Sequence, residues 1–181
     1  MRARLRALSP TDVRAKSAAI WERLAALPVL ADAKWLMVYV SKGNEVGTHG
    51  LIQQLLAMER RVCVPQFDEA TQRYVASELR DFQKELVEGK FRILEPKPEA
   101  VRPVTVDDVQ ALLVPGLAFD ETGNRLGRGM GFFDAFLRGA RGAKIALAYD
   151  FQMLKEVPRE PHDVRVDFIV TETRTLNCSR G

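Results

Sequence analysis

The chain has 181 residues, 46% hydrophobic and 28% charged, with a formal net charge of +3. This length suits one domain with a buried core, and the apolar content excludes a mainly disordered chain. No apolar stretch reaches the roughly 18 residues of a membrane span, the basic start leads into an amphipathic pattern rather than a signal peptide, and two cysteines cannot make a disulfide framework. We therefore expect a single domain over residues 1–181, located in the cytoplasm.

Hydrophobic periodicity and turn residues predict alternating helices and strands. Ser9, Pro10 and Asp12 are typical of a helix start, because they supply a cap, a preset backbone angle and negative charge at the positive end of the helix dipole. Strand, helix and strand in succession form a βαβ unit, so we expect an α/β fold with a mostly parallel sheet. In chain order the prediction is helix 9–27, strand 35–40, a helix capped by Thr48 and running to Met58, strand 61–67, strand 74–79, strand 111–119 broken at Pro115-Gly116, helix 132–138, strands 144–149 and 166–171, and a frayed tail over 173–181.

The segment from Asp120 to Asp134 carries the strongest functional signal. Four glycines in nine residues permit positive φ angles and leave N–H groups uncovered, which suits close approach to a phosphate. Arg125 and Arg128 are suited to neutralise phosphate charge, and the predicted helix points its positive end at the same place. The spacing is neither that of a Walker A loop nor that of the Rossmann fingerprint, so a flexible structural turn remains the alternative to a phosphate cradle.

Three carboxylates are further candidates. Asp134, in the first turn of the predicted helix, is suited to Mg²⁺, which takes one or two carboxylates together with phosphate oxygens. Asp163 is either a second metal carboxylate or a turn residue before the last strand. Glu45, on the loop after the first strand, either binds a polar ligand or is solvated. His49 and His162 stand too far apart in the sequence to indicate zinc, and no G-x-S-x-G nucleophile motif is present.

Basic residues are concentrated at the N-terminus. They form either a solvated helix face or part of a site for a phosphorylated ligand, and the modest net charge favours an acidic small molecule over nucleic acid. These residues are Arg2, Arg4, Arg6, Arg14 and Lys16.

Residues 112–137, LLVPGLAFDETGNRLGRGMGFFDAFL, resemble the signature of the 5-formyltetrahydrofolate cyclo-ligase (methenyltetrahydrofolate synthetase) family. Shorter segments agree in the same order, among them Asn44-Glu45-Val46, Leu94-Glu95-Pro96 and His162-Asp163-Val164. The resemblance extends from about Leu5 to Thr171, which is nearly the whole chain.

The resemblance implies a three-layer α/β/α sandwich like that of CoA-transferase and ribose-5-phosphate isomerase domains. It also implies ATP- and Mg²⁺-dependent conversion of 5-formyltetrahydrofolate to 5,10-methenyltetrahydrofolate, with release of ADP and phosphate. ATP is then the co-substrate and Mg²⁺ the cofactor, and the partners are small molecules rather than nucleic acid or membrane, bound by a monomer or small homo-oligomer. The alternative hypothesis is a folate- or nucleotide-binding module of the same family without turnover, and a third hypothesis is a nucleic-acid-binding derivative.

Site residues follow from the same resemblance. Arg125 and Arg128 are the expected catalytic residues, and Asp134 and Asp163 the expected metal ligands. Family members usually begin with a Lys-x-x-x-Arg segment, for which Arg2 or Arg4 is expected to substitute. The expected ATP-binding residues are Arg2, Arg4, Arg125, Leu126, Gly127, Arg128, Gly129, Met130, Gly131, Phe132 and Phe133; the expected folate-binding residues are Glu45, Arg128, Gly129, Met130, Gly131 and Phe132. The family's aromatic pair contains Tyr, whereas Phe132 and Phe133 keep the stacking surface but have no hydroxyl.

Overall fold

The structure is a computed structural model that describes residues 1–129 and 132–178, and all of their side chains except those of Phe91 and Phe132. In these ranges the helices are α1 (Arg2–Arg6), α2 (Pro10–Ala25), α3 (Pro28–Asp32), α4 (His49–Ala57), α5 (Phe82–Glu85) and α6 (Phe132–Arg138). The strands are β1 (Trp35–Met37), β2 (Arg61–Asp68), β3 (Arg73–Leu79), β4 (Leu86–Glu88), β5 (Leu94–Pro96), β6 (Pro103–Val104), β7 (Ala111–Val114), β8 (Ala118–Phe119), β9 (Arg125–Leu126), β10 (Ala143–Leu147), β11 (Phe168–Val170) and β12 (Thr175–Asn177). None of the helices in the described ranges is long and apolar enough to cross a bilayer.

An eight-stranded sheet has the order β12-β11-β10-β7-β1-β2-β3-β6. Its five central strands, from β11 to β2, pair in parallel, and antiparallel strands flank them on both sides. Leu36 of β1 pairs with Val62 of β2 and with Ala111 of β7, so β1 lies in the middle of the parallel part. The β1-α4-β2 segment is the predicted βαβ unit.

Helices cover both faces of this sheet. Because successive strand residues point to opposite faces, Leu36 packs with Ile20 of α2 and Ile52 of α4, whereas Met37 packs in a second cluster with Leu137 of α6. All five side chains are less than 2% exposed. The predicted α/β/α sandwich is confirmed, with α2, α3 and α4 on one face and α6 on the other.

The N-terminal start of α2 follows the prediction closely. Ser9 Oγ accepts a hydrogen bond from the Asp12 N–H at 3.1 Å, and the Asp12 carboxylate accepts one from the Ser9 N–H at 3.3 Å. This reciprocal pair is a capping box with Asp in the third position, and Pro10 occupies the first helical turn as expected.

Two local predictions differ from the structure. Thr48 precedes α4 but does not cap it, because its Oγ1 donates to the Tyr39 carbonyl at 2.6 Å and accepts from the Ser41 N–H at 2.9 Å. The tail expected to be frayed contains β12, whose Leu176 pairs with Ile169 of β11. The antiparallel ladder therefore orders residues 175–177, while residues 179–181 lie outside the described residues.

Candidate active site

A cavity of about 560 Å³ opens beyond the carboxyl ends of the central parallel strands. Loops that leave parallel strands meet at this edge of an open α/β sheet, which is where such folds bind ligands. Its lining combines apolar and aromatic side chains with charged ones. The first group includes Tyr39, Pro65, Tyr74, Ile93 and Phe133, and the second includes Lys42, Glu45, Arg125, Arg128, Asp134 and Asp163.

A second cleft of about 390 Å³ lies between α1 and the loop that follows β1. Arg2 and Arg6 line it from α1, and Lys42, Glu45 and Arg128 line both this cleft and the larger cavity. The three shared residues therefore form the boundary between an apolar-walled cavity and a cleft with a surplus of positive charge.

Glu45 is the central carboxylate of this boundary. Its side chain is 14% exposed, and its Oε1 is paired with the guanidinium of Arg128, whose Nε lies 3.2 Å away. Its Oε2 accepts the Lys42 N–H at 2.8 Å. Both oxygens thus have donors that fix the direction of the carboxylate, while Arg128 remains 55% exposed.

The glycine-rich loop begins with a short hairpin in which β8 pairs with β9. Asp120, 2% exposed, lies at its turn and accepts hydrogen bonds from Thr122 Oγ1 at 2.7 Å, Asn124 Nδ2 at 2.9 Å and the Val157 N–H at 3.0 Å. Burial opposes ionisation here, but these hydrogen bonds hold the pKa of Asp120 below its ordinary value. Asp120 therefore joins the start of this loop to the segment that carries Pro158 and Asp163 into the cavity wall.

Arg125 and Asp134 form a buried ion pair in the cavity wall. The Arg125 side chain is 3% exposed and that of Asp134 13%, and Asp134 Oδ1 also lies 3.5 Å from the Val164 N–H. Arg125 also lies over the Phe133 ring, with Cζ 5.7 Å from the ring centroid. The guanidinium predicted to contact phosphate directly thus faces a carboxylate of its own loop in this structure.

Gly127 and Gly129 suit this loop for different reasons. A Cβ on Gly127 would lie 3.1 Å from Arg125 Nη1, so the guanidinium packs closely against the backbone there. Gly129 has φ +93°, a backbone region that residues with a side chain rarely adopt, and a Cβ on it would meet nothing within 4 Å. Leu126 is 41% exposed beside them. Of the remaining predicted loop contacts, Met130 and Gly131 lie outside the described residues, as does the side chain of Phe132.

The two predicted metal carboxylates line the same cavity. Asp163 Oδ2 accepts the Glu160 N–H at 2.7 Å and its side chain is 25% exposed. Within residues 1–129 and 132–178, no three side chains from His, Cys, Asp and Glu form a metal-binding group. Two carboxylates facing one cavity do fit Mg²⁺, because that ion commonly takes one or two protein carboxylates and completes its shell with phosphate oxygens and water.

The two N-terminal arginines that were predicted together have different surroundings. Arg2 lines the basic cleft, and its Nη2 lies 3.4 Å from the Arg128 carbonyl oxygen. Arg4 instead lies over the Phe151 ring at 4.8 Å and approaches the Phe151 carbonyl at 3.4 Å. Of these two residues, Arg2 alone is among those that line a described cavity.

The model of the 5-formyltetrahydrofolate cyclo-ligase family matches residues 1–172. The chain belongs to this family. A 5-formyltetrahydrofolate cyclo-ligase of Mycolicibacterium smegmatis is 35% identical over 146 residues, which cover 78% of this chain and 75% of that protein. The enzyme of the same name from Escherichia coli is 29% identical over 177 residues, covering 96% of this chain and 97% of that one.

A solved relative confirms the fold. The NMR structure of 5,10-methenyltetrahydrofolate synthetase from Aquifex aeolicus superposes with a TM-score of 0.88 at 30% identity, covering 99% of this chain and 89% of that one. As a member of the cyclo-ligase family, the chain is an enzyme, and the family belongs to the ligases of folate metabolism.

Most of the residues predicted for the cyclo-ligase site do lie together. Glu45, Arg125, Arg128, Asp134 and Asp163 line one cavity, although they come from segments up to 118 positions apart. Sequence reasoning missed Lys42, Tyr74 and Ile93 in the cavity lining, and it missed the anchoring role of Asp120, although Asp120 begins the predicted segment. Asp120 directly follows predicted strand 111–119 and Lys42 lies two residues after predicted strand 35–40, so their position at strand ends is the one sequence signal for them.

Proposed function

We propose that this member of the family catalyses the ATP- and Mg²⁺-dependent cyclisation of 5-formyltetrahydrofolate to 5,10-methenyltetrahydrofolate, with release of ADP and phosphate. The observation that carries the proposal is the boundary formed by Glu45 and Arg128 between an apolar-walled cavity and a basic cleft. A reaction between a flat, partly apolar substrate and a polyanion requires adjoining compartments of these two kinds.

The folate is proposed to occupy the larger cavity. Tyr74, Ile93 and Phe133 offer an apolar wall for a fused ring system, and Tyr74 and Phe133 lie 6.5 Å apart between ring centroids. The Glu45 carboxylate in the same lining is an acceptor for substrate N–H groups, which a reduced pterin has along its polar edge. Gly129, next to Arg128, leaves room for close approach of the substrate to the backbone.

The phosphates of ATP are proposed to lie at the basic cleft. Arg2, Arg6, Lys42 and Arg128 bring four positive charges around it, against the single carboxylate of Glu45. Gly129 of the neighbouring loop suits close approach of phosphate oxygens to the backbone, because a Cβ there would meet nothing within 4 Å. The predicted contribution of Arg4 is not favoured, because its guanidinium is engaged at Phe151.

The chemistry needs two successive displacements. In the first, the formyl oxygen attacks the γ-phosphorus and the bond to ADP breaks, which turns a poor leaving oxygen into a phosphate ester. In the second, N10 bonds to the formyl carbon, the carbon–oxygen bond to phosphate breaks, and the proton on N10 is lost to give the methenyl product. Neither step uses a protein nucleophile, so the protein's work is to position two substrates and to neutralise phosphoryl charge.

Arg128 and Arg125 are proposed to divide this work. Arg128 is exposed at the boundary of both compartments, so its guanidinium can pair with a phosphoryl group once Glu45 accepts substrate N–H groups. Arg125 is buried against Asp134, so it acts by holding that carboxylate and the loop in place.

Asp134 and Asp163 are the residues that would hold Mg²⁺. Both line the larger cavity, so an ion held there would supply positive charge to a phosphate that extends from the basic cleft past Arg128 into that cavity. Oδ1 of Asp134 accepts from the Arg125 guanidinium and lies near the Val164 N–H. Oδ2 of Asp163 accepts from the Glu160 N–H. One oxygen of each carboxylate is therefore held by a protein donor, which orients the carboxylate.

The experiment is turnover by the purified protein. With 5-formyltetrahydrofolate and MgATP, we expect methenyltetrahydrofolate absorbance to grow together with equal amounts of ADP and phosphate. Asp163→Asn should raise the Mg²⁺ concentration for half-maximal rate, whereas the exposed control Asp32→Asn should not. A ligand-induced thermal shift without turnover would instead support the binding module, and a wild-type Mg²⁺ dependence in Asp163→Asn would remove that residue from the metal site.

A further inference from the structure

Two tyrosine hydroxyls lie behind the Glu45 loop and bond to its main chain. Tyr39 Oη donates to the Val46 carbonyl at 2.9 Å, and Tyr149 Oη donates to the Glu45 carbonyl at 3.1 Å. Tyr39 is 4% exposed and Tyr149 fully buried, and they come from the ends of different strands, β1 and β10. The adjacent carbonyls of Glu45 and Val46 are thus each held by a tyrosine from a different strand end.

The same segment is tied to α2 through Ser17. Ser17 Oγ accepts the Gly47 N–H at 2.9 Å. Ser17 is 2% exposed, so this hydrogen bond is shielded from water. Together with the tyrosine hydrogen bonds it forms a network with a single low-energy arrangement, because each buried group would otherwise be left without a partner.

We infer that Tyr39 and Tyr149 are positioning residues that set the direction of the Glu45 carboxylate toward the folate. The inference rests on the proposed function, since it takes Glu45 to be a folate ligand. Fixing the carbonyls of residues 45 and 46 fixes the Cα–Cβ direction of Glu45, and the Lys42 N–H then selects the carboxylate orientation. Substrate binding therefore does not have to include the entropy cost of ordering this loop.

The hydroxyls keep their protons at physiological pH. Burial, with the nearby negative charge of Glu45, raises the pKa of Tyr39 well above its ordinary value, and burial raises the pKa of Tyr149 to about 12. Both groups therefore act as permanent hydrogen-bond donors to the carbonyls and not as proton donors to substrate. The groups that face them are Glu45 and, beside Tyr149, Ser17 and Glu172.

Tyr39→Phe and Tyr149→Phe test the inference, because each removes one oxygen and keeps the ring. We expect each variant to bind 5-formyltetrahydrofolate about three- to tenfold more weakly by calorimetric titration, in line with the loss of one buried hydrogen bond. The KM for that substrate should rise by a similar factor, while the KM for ATP stays within about twofold of wild type.

Ser77→Ala is the matched control. Ser77 is fully buried on β3 and its Oγ accepts the Arg102 N–H at 3.1 Å, so its loss also removes one buried hydrogen bond, but Ser77 lines neither described cavity. It should lower the melting temperature without changing either KM.

Unchanged folate affinity in both Tyr→Phe variants, or equal increases in both KM values, would overturn the inference while leaving the proposed reaction intact. Absence of folate binding and turnover in the wild-type protein would overturn the proposed function and this inference with it.

Discussion

Arg128 and Glu45 are paired across the boundary of the two cavities, with the guanidinium Nε 3.2 Å from Oε1. A ligand that binds either partner must compete with the other. A phosphate that takes Arg128 leaves Glu45 without its cation, and a substrate N–H that takes Glu45 releases Arg128. Ligands in the two compartments should therefore strengthen each other's binding, since each removes a competing contact.

Glu45→Gln should consequently increase the affinity for MgATP in the absence of folate. The neutral amide no longer competes with phosphate for Arg128, and an ion pair with one exposed partner is worth about 0.2–1 kcal/mol, so we expect up to about a fivefold gain. The same variant should bind 5-formyltetrahydrofolate more weakly. Calorimetric titration measures both, and Glu22→Gln on the exposed surface of α2 controls for the change in net charge. Unchanged or weaker ATP binding in Glu45→Gln would show that the pair does not restrain Arg128.

The buried pair of Arg125 and Asp134 should contribute to stability as well as to the site. Arg125→Ala leaves a buried carboxylate without its partner, and we expect the free energy of unfolding to fall by about 3–5 kcal/mol. Arg125→Met with Asp134→Leu removes both charges and should recover most of that loss. Chemical denaturation measures the difference. The exposed pair of Arg141 and Asp107, at 3.7 Å, is the control, and Arg141→Ala should cost less than about 1 kcal/mol. Equal losses for the two arginines would mean that Asp134 is solvated rather than buried.

Substitutions at two glycines of the loop should have different effects, one mainly on stability and the other mainly on ligand binding. A Cβ on Gly123 (φ +84°) would lie 2.4 Å from the Val166 carbonyl oxygen, whereas a Cβ on Gly129 (φ +93°) would meet nothing within 4 Å. Gly123→Ala should therefore unfold at markedly lower denaturant. Gly129→Ala should cost only about 1–2 kcal/mol, through its backbone angle, and its larger effect should be weaker ATP binding. Equal stability of the two variants would contradict the steric difference.

Glu95 should make stability depend on pH. Its side chain is buried against Gly89, and burial raises the pKa of its carboxyl above the ordinary 4.5. The folded state then holds its proton more tightly than the unfolded state, so the free energy of unfolding falls as pH rises from 4.5 through the folded pKa. Glu95→Gln removes this charge and should stabilise the protein at pH 7 but not at pH values below 4.5. Melting temperatures across that range test it, with exposed Glu99→Gln as the control; a gain of the same size at both extremes would mean that ionisation is not the cause.

The sequence predicts the parallel core well because its signal is local. Leu36 and Met37 lie in an unbroken apolar run, and burial on two faces is the usual reason for such a run. The sequence also predicts that the loop with Glu45 and the segment 120–134 lie close together, because the carboxyl ends of parallel strands share one edge of the sheet. What it cannot predict are partnerships that only folding creates. Asn44 Nδ2 donates to the Leu5 and Leu8 carbonyls at 2.9 Å and so fixes α1 over the basic cleft. The periodicity of the sequence does not predict this contact. The sequence does not predict the ion pair of Arg125 with Asp134 either, because Arg125 alone suits a phosphate and Asp134 alone suits a metal ion.

The separation of Arg2 from Arg4 gives a last prediction. Both arginines are exposed, lie on α1 and carry the same charge, but Arg2 lines the basic cleft beside Arg128 whereas Arg4 lies on Phe151. Arg2→Ala should raise the KM for ATP by about three- to tenfold, the loss expected for one charge-assisted contact in an exposed cleft. Arg4→Ala should change that KM by less than about twofold and lower the melting temperature slightly, because its cation–π contact helps to hold α1. Initial rates at fixed folate with ATP varied measure the first effect, and thermal unfolding the second. Equal increases in KM would mean that ATP binding depends only on the overall charge of α1. A larger increase for Arg4→Ala would indicate that the phosphates bind near Phe151 instead.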